Sequence, residues 1–143
     1  MKRILLIFLT AFVLLLGAAP AEAEELSFDE IYSAYSADGL TFSDKTLSLE
    51  GGTVTVSGYM APPLTPTIHF FVLTDVPMSV CPFCSSDADW PDNIIVVKVD
   101  DPITALPYDT PITVTGTLEI GSETDEETGF VSQLRVHADS IDS

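Results

Sequence analysis

The chain has 143 residues, 22 of them acidic and five basic, for a net charge of −17. Such a surface repels DNA, RNA and anionic lipid headgroups, so nucleic-acid and membrane-surface binding are not expected. A cationic partner, a divalent metal or a salty medium suits it better, and solubility alone accounts for much of the charge.

The first element in chain order is a leader. Lys2 and Arg3 precede the apolar run from Ile4 to Leu16, and small residues follow up to Ala21-Glu22-Ala23, an A-x-A cleavage pattern. The run is shorter than the roughly 20 residues a spanning helix needs. These features predict a signal peptide over residues 1–23, cleavage after Ala23, and an exported (periplasmic or extracellular) product with no membrane insertion. The mature chain, 24–143, keeps three basic residues (Lys45, Lys98, Arg135) and 21 acidic ones, net −18. It is long enough for one domain with a core that does not depend on disulfides.

Ser27-Phe28-Asp29-Glu30 has the form of a capping box, with Leu26 and Ile31 at the staple positions. Phe28, Ile31, Tyr32 and Tyr35 recur at helical spacing, and Gly39 is a stop signal, so a short helix is predicted over 28–37. Beyond it the pattern turns to strands. Leu47 and Leu49 alternate with polar residues, and Gly51-Gly52 marks a turn or bulge. Strands are predicted at 53–59, 67–74, 94–99, 112–120 and 131–138. The runs at 67–74 and 94–99 are apolar almost throughout, which indicates burial on both faces. Gly121 to Gly129 is predicted as a solvated hairpin loop.

Five main strands with no long helix leave no room for βαβ crossovers, so the sheet should be mostly antiparallel. A small five-stranded Greek-key barrel of OB type avoids exposed edges, and a β-sandwich is the alternative. The expectation is thus a mainly β, single OB-like domain over 24–143 with a short N-terminal helix.

Val56-Ser57-Gly58-Tyr59-Met60-Ala61-Pro62-Pro63-Leu64, His69-Phe70-Phe71-Val72-Leu73-Thr74, Cys81-Pro82-Phe83-Cys84 and Trp90-Pro91 follow one another along the chain. This order resembles a group of uncharacterised exported bacterial proteins with a "strand, G-[FY]-M-x-P, strand, cysteine loop, strand" arrangement. The resemblance covers roughly residues 27–140. It implies an OB-like core and, because some of the group are encoded near transport systems, a protein partner in such a system.

Cys81 and Cys84 are the only cysteines. Three chemistries compete for them. An oxidising compartment and an even count favour a disulfide, although so small a closed loop adds little stability. Two thiolates at C-x-x-C spacing can also bind one zinc or a soft copper ion. The further ligands would come from His69, Asp87 and Asp89, with His137 more remote. Thiol–disulfide exchange needs an acidified thiol at a helix start. Pro91 leaves little room for that helix, and Asp87 and Asp89 would raise a neighbouring thiol's pKa.

Trp90 either walls a pocket or anchors the loop. The acidic stretch Glu123 to Glu127 lacks the spacing of a calcium loop. No catalytic constellation or nucleotide fingerprint is recognisable, so a binding or accessory module, not an enzyme, is expected. A thiol–disulfide oxidoreductase and a purely structural module are the alternatives.

Overall fold

The structure, a computed structural model, describes residues 22–63, 67–80 and 90–143. It is mainly β. β1 (Glu24–Glu25), α1 (Phe28–Ile31), β2 (Tyr32–Ser36), β3 (Gly39–Phe42) and α2 (Asp44–Ser48) lead into the long strands. Those are β4 (Thr53–Met60), β5 (Thr67–Thr74), β6 (Ile94–Thr104), β7 (Pro111–Thr124) and β8 (Val131–Asp142). Six strands form one sheet in the order β1-β4-β5-β6-β8-β7, with an additional β4–β7 pairing, while β2 and β3 make a separate two-stranded sheet. The β1–β4 and β6–β8 pairs are parallel. The other pairs are antiparallel.

Alternation sets which side chains go inward. Val54, Val56 and Met60 on β4, Ile112, Val114 and Leu118 on β7, and Leu134 and Val136 on β8 share one core with Phe71, Leu73, Ile95 and Val97. β5 and β6 are buried on both faces over 71–74 and 94–97, as their unbroken apolar runs require. A second, smaller apolar cluster of Ala61, Val72, Ile94 and Val96 packs with Phe70, Trp90 and Phe130.

β4 serves two neighbours on different parts of its length. Residues Thr53 to Tyr59 pair with β7, and Tyr59 and Met60 pair with β5. At the changeover, a Cβ on Gly58 would lie 2.5 Å from the Thr74 carbonyl oxygen, so only glycine permits the approach. Gly116 has the same role on β7, where a Cβ would lie 2.0 Å from the His137 carbonyl oxygen beside a register shift. On the edge of β4 that β5 leaves unpaired, β1 pairs with Val54 and Thr55, with Glu24 opposite Val54. Leu26, Phe28 and Ile31 then enter the main core.

Two local expectations are corrected. The helix predicted over 28–37 ends at Ile31, and Tyr32 is already extended. The capping interaction is present: the Glu30 carboxylate accepts from the Ser27 backbone N–H at 3.3 Å and from its hydroxyl at 2.8 Å. Tertiary contacts override the helical period after that. Tyr32 stacks on Phe42 at 5.0 Å and accepts a hydrogen bond from Trp90, which draws 32–42 into a hairpin with Tyr35 80% exposed. The Leu47–Leu49 alternation lies not in a strand but in and just beyond α2. Ser43 caps that helix, accepting from the Thr46 N–H at 3.1 Å. The long strands match the predicted positions, but β6, β7 and β8 run further at their C-terminal ends, and β7 takes in the start of the supposed loop from Gly121 to Thr124.

Candidate functional site

The cysteine segment belongs to the connection between β5 and β6. Thr74 pairs with Ile94, and the Asp75 N–H donates to the Asn93 carbonyl at 3.2 Å, so the connection leaves and re-enters the sheet at one neck. The neck is braced by the buried Thr74 hydroxyl, which lies 2.8 Å from the Val76 carbonyl oxygen and 3.2 Å from that of Tyr59. The outgoing limb exposes Val76 and Val80. Cys81, Cys84, Asp87 and Asp89 fall in 81–89, outside the described residues.

Trp90 is where the chain is described again, and it is held from two sides. Its indole N–H donates to the Tyr32 hydroxyl at 2.8 Å. Its ring lies 6.5 Å from that of Phe130, which itself stacks on Phe70 at 6.0 Å. Trp90 therefore joins the cysteine connection to the β2–β3 hairpin on one side and the β7–β8 hairpin on the other. Burial raises the Tyr32 pKa, with the Trp90 bond opposing, so the phenol stays neutral and available as acceptor.

His69 is exposed on β5, where the pairing with β6 shifts register between Ile68 and Phe70. It is five residues from Thr74, roughly 17 Å along the strand from the neck. His137 is engaged elsewhere, its Nε2 2.5 Å from Glu119 Oε2. Among the described residues, no three His, Cys, Asp or Glu side chains are grouped to hold a metal. Ala23 is half-buried directly before β1.

The sequence reading missed a charge network on β6, β7 and β8. Arg135 on β8 is buried to 2% exposure. Its Nε donates to Glu119 at 3.1 Å and lies 3.4 Å from Glu123, while Nη1 lies 2.7 Å from the Gly121 carbonyl oxygen and 3.0 Å from the Ser132 hydroxyl. Lys98 on β6 pairs with Glu123. Arg135 and His137 hold the Glu119 carboxyl at a pKa of about 2. The signal was present in the alternation: Arg135, the only arginine after the leader, stands between the inward-facing Leu134 and Val136.

Among the described residues, no helix is long and apolar enough to cross a membrane. No family model matches the chain, and no curated protein does. Its structure is similar to the crystal structure of a DUF3299 family protein from Pseudomonas aeruginosa PAO1, with a TM-score of 0.55 at 14% sequence identity. The match covers 84% of this chain and 95% of that one, and at this identity it is a likeness of fold.

Proposed function

We propose that the chain is an exported accessory module, an OB-like barrel that presents the Cys81–Cys84 loop for metal binding or disulfide formation. The OB reading is supported by the pairing circuit β4-β5-β6-β8-β7 and back to β4, with its parallel β6–β8 pair. The observation that carries the functional reading is the mounting of the cysteine connection: one neck at Asp75 and Asn93, and Trp90 bonded to Tyr32 and packed on Phe130. A rigid mount holds a short chelate or crosslink in a fixed place. For zinc or copper, Asp87 and Asp89 in the same loop are nearer in sequence than His69 as additional ligands. The transport-system partner rests on the family resemblance alone, and nucleic acid has no place in a chain so poor in basic residues.

Trp90 is the chain's only tryptophan, six residues after Cys84, so its fluorescence reports on this loop without labelling. Protein expressed with its leader and purified from the exported fraction is expected to begin at Glu24. It should carry about one metal per chain with thiols silent until chelation, or else a bridge with thiols silent until reduction. Trp90 emission should shift on chelation or reduction, and not in Cys81→Ser. Two freely reactive thiols with no metal would sink the reading, and a retained Met1 would remove its exported half. Turnover of a mixed-disulfide substrate, lost in Cys81→Ser, would transfer the protein to the oxidoreductases.

A further inference from the structure

We propose that a cavity beside Tyr59, where β4 passes from β7 to β5, binds a small alkylammonium ligand. The site is independent of the cysteine loop, and the strand topology builds it. Tyr59 pairs with Pro111 on one edge and with Thr74 on the other. Pro111 opens β7 and has no backbone N–H, so the β4–β7 ladder ends there. Asp75 follows the last residue of β5, and Asp142 is the last residue of β8, opposite Thr113. Three strand ends distant in sequence thereby surround one open cavity of about 490 Å³, within the roughly 300–1,000 Å³ of small-molecule clefts.

The lining combines three kinds of group. Tyr59, half-buried, and Pro111 supply apolar surface. The hydroxyls of Ser57 and Thr113, 3.1 Å apart, supply acceptor oxygens. Asp75 and Asp142 are exposed and supply negative charge. Among the described residues, Lys45 pairs with Glu30, Lys98 with Glu123, and Arg135 and His137 with Glu119, so neither aspartate has an ion-pair partner.

Exposed carboxylates alone attract any counter-ion, and a hydrated metal ion gains little from an aromatic wall. An alkylammonium ion uses every group present. Its N–H donors meet carboxylate and hydroxyl oxygens, and its carbon stem covers Tyr59, whose ring adds a cation–π attraction. The net charge of −17 draws such a cation to the cleft from solution.

Titration calorimetry with putrescine at pH 7 and low salt tests this. One saturable site is expected, weakening as sodium chloride rises. Asp75→Asn and Asp142→Asn should each lower the affinity about tenfold, the low end for a hydrogen bond to a charged group. Tyr59→Leu should lower it about threefold, and Tyr59→Phe should leave it unchanged, as a cation over a ring requires. Glu126→Gln removes the same charge from the exposed β7–β8 turn and should leave the affinity unchanged.

No saturation at millimolar putrescine would overturn the proposal. So would an equal loss in Glu126→Gln, the mark of diffuse counter-ion attraction, or equal binding of the neutral diol of the same chain length. Magnesium bound more tightly than putrescine, and lost in both aspartate variants, would assign the cavity to a metal ion and overturn it likewise.

Discussion

Glu119 shares one carboxylate oxygen, Oε2, between the Arg135 Nε at 3.1 Å and the His137 Nε2 at 2.5 Å. Its pKa is held at about 2 in the folded protein, against an ordinary 4.5, first by Arg135 and then by His137. A carboxyl depressed on folding stabilises the native state above its unfolded pKa, and that contribution fades as the pH falls from about 4.5 towards 2. Glu119→Gln should therefore melt below the wild type at pH 6, with the gap closing by pH 2. Glu119 is 40% exposed, so the gap at pH 6 should be about 1 kcal/mol, the scale of a solvent-screened pair. A gap that stays constant from pH 6 to pH 2 would show that packing, not charge, is what Glu119 contributes. Glu30 behaves alike, lowered to about 2 chiefly by Lys45, and adds to the same acid limb.

At the scale of elements, strand pairing tests the glycines. Gly116→Ala places a methyl 2.0 Å from the His137 carbonyl oxygen, a backbone atom that cannot swing aside. It should cost at least about 2 kcal/mol in urea unfolding, the scale of an overpacked core, and weaken the β7–β8 pairing. A loss below half that value would mean the two strands can part locally without penalty. The long strands were legible because their alternation is driven by a core that consumes every inward residue of β4 and β7. The region from 32 to 49 was not, because its conformation is decided by partners distant in sequence. Tyr32 is held by Trp90, 58 residues on, and α2 is set by the Ser43 cap and by the Thr46 hydroxyl donating to the Ile31 carbonyl at 2.9 Å. For the site, the sequence pointed to the segment from Cys81 to Trp90, with Trp90 as a pocket wall or a loop anchor, and its cysteines lie outside the described residues. Arg135 stayed hidden because a lone arginine between apolar residues looks solvated until the carbonyl of a bulge comes within its reach.

At the scale of the whole molecule, the chain carries a net charge of −17, and among the described residues its cations are engaged with carboxylates. The carboxylates left over repel one another across a small surface. Sodium chloride raised from 10 mM to about 0.5 M shortens the Debye length from about 30 Å to a few ångströms and should raise the melting temperature at pH 7. A melting temperature that falls with salt would mean the Arg135, Lys98 and Lys45 pairs outweigh the repulsion. The β4–β7 pairing has a further consequence, in time instead of energy. Thr53 and Thr117 are 64 residues apart in sequence yet face each other in the sheet. A chain delivered N-terminus first presents β4 long before that partner exists, and closing so distant a pair places folding on the slow, millisecond-to-second side of small domains. Until residue 117 arrives, β4 leaves the edge from Thr53 to Gly58 that β7 will pair, and the inward Val54 and Val56, open to any other strand nearby. The last quarter of the polypeptide thus decides whether the first half matures or aggregates.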